Sequence, residues 1–260
     1  MILDEIAARA EERVAELKKI RPLGSLRQDA EKMGAETGFP FKNALAAPGI
    51  SFICEVKKAS PSKGVIAEDF PYLAIAEEYE EAGAAAISVL TEPYYFLGKD
   101  RYLEEIVQNV KIPVLRKDFT VDEYQIFEAK LLGASAVLLI CAILSEEQLK
   151  EYLKIAESLG LSALVEAHTE EEVRMALRAK ADIIGVNNRN LKTFEVDIST
   201  SLRLRSLVPG GIVFVSESGI RTAADVAALR ADHTDAVLIG ETFMRSPDKK
   251  KQLALLRGTV

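Results

Sequence analysis

Short apolar runs alternate along the chain with longer stretches that have helical spacing. Eight runs rich in β-branched or other apolar residues predict strands at Phe52–Lys57, Ala86–Thr91, Val114–Lys117, Ala136–Ile140, Ala163–Glu166, Ile183–Val186, Ile212–Glu217 and Ala236–Ile239. Segments in which apolar residues recur every three or four positions predict helices at Tyr72–Ala82, Arg101–Asn109, Glu123–Leu132, Glu146–Leu159, Glu170–Ala179, Thr200–Leu207, Thr222–Ala231 and Asp248–Arg257. The pattern is therefore a regular alternation of strand and helix.

The ends of several predicted helices carry their own signals. Ser145 stands at the start of one helix with Gln148 three residues further on, and Gly160 follows the end of the same helix. This is the arrangement of a capping box at one end and a C-terminal glycine at the other. Thr169 and Thr222 precede two further helices in a similar way.

The number of units decides between two α/β architectures. Eight strand–helix units in 260 residues are typical of a (β/α)8 barrel, whose usual length is about 250 residues. An open doubly wound sheet would carry a glycine fingerprint after its first strand, and the segment 55–61 (EVKKASP) has none. We therefore predict an α/β protein with a single (β/α)8 TIM barrel, one domain over residues 1–260.

About fifty residues precede the first predicted strand. The pair Arg21-Pro22 ends a pattern of apolar residues at helical spacing, which consists of Ile2, Leu3, Ile6, Val14 and Leu17. So short a segment has little core of its own. We therefore expect residues 1–50 to form an N-terminal helical extension, with an extra helix that caps the barrel, rather than a second domain.

Composition and charge narrow the classes of protein and partner. With 48% hydrophobic and 28% charged residues, the chain can bury a full core, which excludes intrinsic disorder. The formal charge of −7 gives no basic stripe for a nucleic-acid backbone. The longest apolar run, near 136–144, is about ten residues, whereas a membrane span needs roughly 20. The first six residues, MILDEI, place acids where a secretory signal needs basic residues, so we expect a cytoplasmic protein.

Cysteines and histidines are too few and too scattered to suggest a metal centre. Cys54 and Cys141 both lie within apolar runs, so we expect buried free thiols. His168 shares strand parity with Glu166, but we expect a solvated loop residue there, and we expect His233 at the surface. Because these residues lack metal-ligand spacing, we predict no metal site.

Polar side chains cluster where the predicted strands end. In a (β/α)8 barrel the chemistry lies at these carboxyl ends, and side chains two residues apart on a strand share a face. Strand parity therefore brings one set of residues to a common rim: Glu55, Lys57, Lys117, Glu166, Asn187 and Glu217. Buried charges are costly unless they are paired, which favours a functional site over a purely structural ring of ion pairs.

A second signal follows the last two predicted strands. Gly219 lies in the segment Glu217–Ile220, and Gly240 directly follows strand eight. In these loops many barrels bind a phosphate group through backbone N–H groups and a short helix N-terminus. Each glycine alone could simply turn the chain, but the two together indicate a phosphorylated substrate.

Seven segments at the strand ends follow one another in a recognisable order. The first is FICEVKKASPSKG at 52–64, and the others are 91–98 (TEPYYFLG), 115–119 (LRKDF), 164–168 (LVEAH), 185–191 (GVNNRNL), 216–220 (SESGI) and 238–241 (LIGE). Together they resemble the indole-3-glycerol phosphate synthase family over the whole chain. The first segment is specific to that family, whereas the last two also occur in other phosphate-binding barrels.

The resemblance implies a reaction without cofactor or metal. The family, a group of carboxy-lyases in tryptophan biosynthesis, converts 1-(2-carboxyphenylamino)-1-deoxyribulose 5-phosphate to indole-3-glycerol phosphate, carbon dioxide and water. Ring closure needs a polarised ketone, so we expect Lys117 as the general acid, held protonated by Glu55. We expect Glu166 as the base. Lys57 either contacts the substrate carboxylate or acts as a second acid, and the sequence leaves that choice open.

The remaining family positions bind or position the substrate. Asn187 is expected to hydrogen-bond the reacting hydroxyl, Arg189 to lie near the substrate carboxylate, and Glu217 to position a lysine. Matching binding positions are Ser60, Ser218, Gly219, Leu238 and Gly240. Residues that match an apolar slot for the aryl ring, but are equally compatible with plain core, are Phe96, Phe119, Leu138 and Leu191. Glu241 stands where some members have a hydroxyl residue, so only its backbone N–H could help a phosphate, and we expect its side chain in solvent.

The resemblance also bears on partners and on competing functions. It implies a small phosphorylated substrate as partner, without nucleic acid or membrane, and we expect a monomer.

The related phosphoribosylanthranilate isomerase would show a cysteine at the end of strand one and an aspartate at strand six, and neither is present. A Schiff-base aldolase could use Lys117 or Lys57. A barrel that only binds a ligand would have no reason to keep these buried charges. The loop Pro61–Glu68 is either a lid or a plain connection.

Overall fold

Eight parallel strands form a closed barrel in the computed structural model, which describes residues 2–190 and 193–259. The strands are β1 (Ser51–Val56), β2 (Ala86–Leu90), β3 (Val114–Lys117), β4 (Ala136–Ile140), β5 (Ser162–Ala167), β6 (Ile183–Asn187), β7 (Val213–Glu217) and β8 (Ala236–Ile239). Each strand pairs with its neighbours in the sequence, and β1 closes the barrel against β8 with Ile53 opposite Leu238. The predicted (β/α)8 barrel is therefore confirmed.

Helices follow every strand, and three more precede the barrel. They are α1 (Ile2–Ile20), α2 (Leu23–Lys32), α3 (Pro40–Leu45), α4 (Tyr72–Glu81), α5 (Asp100–Asn109), α6 (Tyr124–Leu131), α7 (Glu146–Ser158), α8 (Glu170–Arg178), α9 (Ser199–Arg205), α10 (Ala223–Ala231), α11 (Glu241–Met244) and α12 (Lys249–Arg257). The eight predicted helices agree with these bounds to within about two residues at each end. Capping boxes are present at Ser145 and Thr222, which explains why α7 and α10 begin where they do.

Apolar side chains from alternate strand positions fill the barrel interior. Ile53, Leu115, Leu164, Val213 and Val215 belong to one buried cluster there. These are the residues that strand parity assigned to the inner face, so the inward register is confirmed. Towards the carboxyl ends of the strands, the same parity replaces apolar residues with the charged ones of the rim.

The N-terminal extension closes the amino end of the barrel. Phe41 and Leu45 of α3 are fully buried in the interior cluster. At the first residue of β1, the Ser51 hydroxyl donates to the carbonyl oxygen of Ala44 at 3.0 Å. The interior is therefore sealed from this end by a helix that precedes the first strand.

The same extension also reaches the carboxyl end, through α1. Arg13 of α1 pairs with Asp118, the residue after β3, at 2.7 Å. Three apolar residues from the first turns of α1 lie at the mouth of the barrel: Ile2, Leu3 and Ile6. The extension therefore has three helices, where the sequence suggested one, and contacts both ends of the barrel.

Both cysteine thiols are buried and free of disulfides. Burial raises the pKa of the Cys141 thiol to about 12 and raises that of Cys54 as well, so both stay protonated at neutral pH. Neither thiol is therefore poised as a nucleophile. Across the described ranges of the chain, none of the helices is long and apolar enough to cross a membrane.

Candidate active site

A cavity of about 410 Å³ opens at the carboxyl ends of the strands. Sites that enclose a small ligand commonly have volumes of roughly 300–1,000 Å³. The lining includes all six residues that strand parity assigned to the rim: Glu55, Lys57, Lys117, Glu166, Asn187 and Glu217. The predicted catalytic side chains therefore face one common space.

Lys117, at the last position of β3, lies among carboxylates. Its Nζ is 3.0 Å from Glu166 Oε2 and 3.5 Å from Glu217 Oε2. Burial alone would lower the pKa of Lys117, but Glu166, Glu217 and Glu55 outweigh burial and raise it. The side chain is therefore an ammonium group, which can give a proton to a substrate oxygen but cannot attack a carbonyl carbon as a free amine.

Glu55 and Lys57 form a second ion pair, at the carboxyl end of β1. Lys57 Nζ lies 2.6 Å from Glu55 Oε1, and the Ser88 hydroxyl donates to Glu55 Oε2 at 3.3 Å. Gly240 faces this pair closely, since a Cβ at that position would lie 2.5 Å from Glu55 Oε1 and 2.9 Å from Lys57 Nζ. Any side chain at position 240 would therefore displace the carboxylate of Glu55 or the ammonium group of Lys57 from this pair.

Glu217 lies buried against Gly185, the neighbouring residue on β6. A Cβ at position 185 would overlap Glu217 Oε1, so the missing side chain creates the space for the carboxyl group. Glu217 Oε1 has no hydrogen-bond partner in the described part of the chain. Burial first, and then Glu166 and Glu55, raise the pKa of Glu217 to about 8 against the opposing effect of Lys117. This carboxyl group therefore keeps its proton to a higher pH than an ordinary glutamate does.

Glu166, on β5, is contacted from three directions. Besides Lys117, Asn187 Nδ2 donates to Glu166 Oε1 at 3.3 Å, and His168 Nε2 lies 3.3 Å from the same oxygen. Burial would raise the pKa of Glu166, but Lys117 and His168 outweigh burial and lower it, so the group is ionised. The expectation that His168 is solvated is wrong, because its side chain is only 11% exposed and is held between Glu166 and Glu172.

The loops after β7 and β8 form the other side of the cavity. Ser218 and Gly219 both have left-handed backbone conformations, with φ of 66° and 82°. A side chain at position 219 would also meet Val196 Cγ1 at 2.5 Å. Gly240 lies between β8 and the short helix α11, and all three of these loop residues line the cavity. The predicted phosphate-binding loops are thus brought to the same space as the charged rim.

Asn188, which the sequence analysis did not single out, holds the loop after β7 from behind. Its Nδ2 donates to Ser216 Oγ and to the Ser218 carbonyl oxygen, both at 3.0 Å, and its Oδ1 accepts from the Ser201 hydroxyl at 2.8 Å. These buried hydrogen bonds fix the backbone on which Gly219 depends. The position directly after Asn187 has the outward parity, so strand alternation assigned it to the packing layer.

The residues proposed for the aryl slot lie together at the mouth. The rings of Phe96 and Phe119 have centroids 5.9 Å apart and an interplanar angle of 37°. Leu138 and Leu238 line the same cavity, whereas Leu191 lies outside the described residues. Ile2, Leu3 and Ile6 of α1 also line this cavity, although the sequence analysis assigned them only to the extension.

Ser60, Arg189 and Glu241 complete the lining predicted from the sequence. Arg189 Nη1 donates to the carbonyl oxygen of Phe194 at 3.2 Å, which turns the guanidinium along the loop after β6. The side chain of Glu241, which was expected in solvent, is only 31% exposed. It accepts a hydrogen bond from Arg245 Nε at 3.0 Å. Its negative charge is therefore paired by a basic residue beside the loop after β8.

The fold and the site together define a (β/α)8-barrel enzyme in which ammonium groups and carboxylates converge on one cavity. The chain belongs to the indole-3-glycerol phosphate synthase family, because the model of that family matches residues 3–256. It is 60% identical to the indole-3-glycerol phosphate synthase of Ruminiclostridium cellulolyticum over 260 residues, with all of both chains covered. It is 56% identical to that of Endomicrobium trichonymphae, with 99% of this chain and all of the other covered.

Solved structures of other barrels share the architecture. The 3-hexulose-6-phosphate synthase of Salmonella typhimurium matches with a TM-score of 0.66 and 13% identity, over 80% of this chain and 97% of the other. The thiamine phosphate pyrophosphorylase of Pyrococcus furiosus matches with a TM-score of 0.60 and 18% identity, over 84% and 96% of the two chains. At such low identity these matches bear on the fold alone.

Proposed function

We propose that this chain catalyses the ring closure, decarboxylation and dehydration of 1-(2-carboxyphenylamino)-1-deoxyribulose 5-phosphate, which yields indole-3-glycerol phosphate, carbon dioxide and water. The observation that carries the proposal is the presence of two ammonium–carboxylate pairs in one cavity. Lys117 and Glu166 meet at 3.0 Å, and Lys57 and Glu55 meet at 2.6 Å. The reaction needs protons both delivered and removed within one bound substrate, which such pairs can do.

Lys117 is assigned as the acid of ring closure. The electron-rich aryl carbon attacks the ketone carbon, and the ketone oxygen takes a proton from Lys117. Loss of carbon dioxide then returns the electron pair of the broken carbon–carbon bond to the ring. The neighbouring carboxylates keep Lys117 protonated, which suits an acid. The same carboxylates oppose a Schiff-base aldolase, because that mechanism needs a neutral amine.

Lys57 and Glu166 are assigned to the dehydration. The hydroxyl group leaves as water with a proton from Lys57, and Glu166 takes the proton from the adjacent carbon to complete the indole. Two protons are supplied and one is removed, which balances the release of carbon dioxide from a carboxylate. Glu166 becomes a stronger base once Lys117 has lost its proton, since one positive charge beside the carboxylate has gone.

The rest of the cavity is assigned to binding. The substrate phosphate lies against the loops at Ser218, Gly219 and Gly240, where backbone N–H groups and the start of a helix suit an anion. The aryl ring lies between the apolar residues at the mouth. Arg189 faces the substrate carboxylate, and its position beside the loop after β6 keeps its charge close to the reacting ring.

The proposal extends to the assembly and the compartment in which the chain acts. Every group assigned here comes from a single chain, so a monomer is sufficient for the reaction. The substrate and product are phosphorylated intermediates of amino-acid biosynthesis, which supports a cytoplasmic location.

The test is to add the substrate to purified protein without metal or cofactor and to follow indole fluorescence. The chain contains no tryptophan, so the protein contributes no indole emission of its own. We expect turnover by the wild type and a loss of roughly 10²-fold in kcat for Glu166→Gln, the usual size of an acid–base contribution. Glu170→Gln, an exposed glutamate of α8, is the matched control and should retain full activity.

Two results would contradict the proposal. If the wild type binds the substrate but forms no indole, the reaction is wrong and the chain is a ligand-binding barrel. If borohydride traps a covalent adduct between substrate and lysine, the aldolase mechanism is favoured instead.

A further inference from the structure

His168 lies directly behind Glu166 and bridges two carboxylates. Its Nε2 is 3.3 Å from Glu166 Oε1, and its Nδ1 is 3.1 Å from Glu172 Oε2. The backbone N–H of His168 also donates to Glu172 Oε2 at 2.7 Å. His168 is therefore held by Glu172 on one side and faces the assigned base on the other.

Glu172 is itself fixed by the start of α8. The Thr169 hydroxyl accepts a hydrogen bond from the Glu172 backbone N–H at 3.2 Å and so caps the helix. The carboxylate of Glu172 then turns back onto His168. The chain segment 168–172 thus forms a compact support behind the end of β5.

The contacts of the ring favour its doubly protonated form. An ionised carboxylate only accepts hydrogen bonds, so a ring with a carboxylate at each nitrogen carries a proton on both. Nε2 is buried, and its contact with Glu166 is an ion pair rather than an aligned hydrogen bond. Glu166 and Glu172 outweigh burial and raise the pKa of His168 to about 10.

Other titratable groups near the ring do not change this conclusion. Glu217 on β7 and Lys117 on β3 lie beyond Glu166 and act on its other side. Cys141, after β4, donates to the Glu172 carbonyl oxygen at 3.6 Å and stays a neutral thiol. The acidic neighbours of His168 therefore favour the imidazolium form.

We propose that His168, as an imidazolium bridging Glu172 and Glu166, is a positioning residue that holds the Glu166 carboxylate ionised and fixed in orientation during the reaction. The inference rests on the proposed function, in which Glu166 is the base. When Lys117 gives its proton to the substrate, Glu166 loses that cation. The imidazolium ring of His168 then remains as a positive charge close to Glu166 Oε1, the oxygen that also accepts from the amide of Asn187.

Steady-state kinetics test the role in the reaction. We expect His168→Ala to lower kcat about tenfold, within the range known for a misplaced catalytic group, with KM changed less than about twofold. His168→Gln should recover only part of the rate, because its amide can act as a donor near Glu166 but carries no positive charge. His233→Asn is the matched control: His233 is exposed with φ of 57°, a conformation that asparagine tolerates, so this variant should match the wild type.

A kcat for His168→Ala equal to that of the wild type would overturn the proposal. So would full recovery of the rate by His168→Gln at equal thermal stability, since a neutral side chain of similar size would then be sufficient and the positive charge would have no role. If His168→Ala does not fold, His168→Gln and Glu172→Gln carry the test, and wild-type kcat in both would also overturn it.

Nitrogen-15 NMR of the two histidine rings tests the bridge without turnover. We expect the His168 ring to remain doubly protonated at about pH 8, where an ordinary histidine with a pKa near 6.5 is neutral. Its titration midpoint should fall in Glu172→Gln. A wild-type His168 that titrates near 6.5 would refute the bridge. If the wild type forms no indole, the reaction itself has failed, and the NMR result still decides separately whether the bridge exists.

Discussion

The lining of the cavity has two parts that consist of different chemical groups. The first, called the charged side, consists of the ends of β1, β3, β5 and β7, which are spaced around the barrel, and it carries charged side chains in direct contact, such as Lys117 with Glu166. The side formed by the loops after β7 and β8 carries glycines and a serine, supported by the neutral side chain of Asn188. From this difference we infer that the barrel uses separate parts of its cavity for proton transfer and for anion binding. Ionisable side chains serve the first, and backbone groups fixed by buried hydrogen bonds serve the second.

The charged side and the side formed by the loops respond differently to substitution. On the charged side, each ion is held by its neighbours, so removal of one leaves a buried opposite charge without compensation. On the neutral side, the geometry of the backbone is what matters, and a side chain added at a glycine disturbs it. Substitutions on the first side should therefore act on kcat, and those on the second side on KM.

Lys117→Ala should give the largest effect. We expect kcat to fall by roughly 10²-fold or more, because the ketone loses its proton donor, with KM almost unchanged. Steady-state assay of indole formation measures both constants. Lys130→Met is the matched control, a buried lysine of α6 whose pKa is lowered by burial and which lies outside the cavity lining. Retained turnover in Lys117→Ala would remove this lysine from the acid role.

Gly219→Val should act on the neutral side. The new side chain meets Val196 and cannot easily adopt φ of 82°, so the phosphate loop must shift. We expect KM to rise about tenfold, equivalent to 1.4 kcal/mol, with a much smaller change in kcat. Gly210→Val, where a Cβ meets nothing within 4 Å, is the control. Unchanged affinity for inorganic phosphate as an inhibitor would place the phosphate site elsewhere.

Glu217→Gln should lower kcat less than Lys117→Ala does, because Glu217 acts on Lys117 and not on the substrate, and it should also change how stability depends on pH. The folded pKa of Glu217 is about 8, above its usual value of 4.5, because of burial. Its contribution to stability is therefore present below about pH 4.5 and is lost as pH rises through 8. Glutamine cannot ionise, so the free energy of unfolding of the variant should gain on that of the wild type between about pH 5 and pH 9. Urea unfolding across this range measures the difference, and a constant difference would contradict the assignment.

Strand parity was sufficient to predict the rim. Ile53 and Glu55 are two residues apart on β1, and the structure places the first in the interior cluster and the second in the cavity. The same rule worked for Leu115 and Lys117 on β3. It works because the alternation of a strand is a local property, which the closed barrel converts directly into one common space.

Features set by contacts between elements could not be predicted in this way. His168 has the inward parity, but its burial depends on Glu172 from the next helix, so its solvated assignment was wrong. Asn188 has the outward parity, and its role depends on Ser201 from α9. The sequence also did not indicate that α1 would reach the mouth of the cavity. An apolar stripe predicts that a helix packs against another part of the protein, but it does not identify that part.

The seal at the amino end of the barrel has a consequence for synthesis of the chain. Phe41 precedes β1, yet the apolar surface that receives it is contributed by strands along the whole chain. That surface is complete only when Ile53 of β1 lies opposite Leu238 of β8. Contacts so distant in sequence form late, because loop-closure entropy opposes them. We therefore expect Phe41 to stay accessible to solvent in a nascent chain that still lacks β8, and to become fully buried only when the last strand closes the barrel.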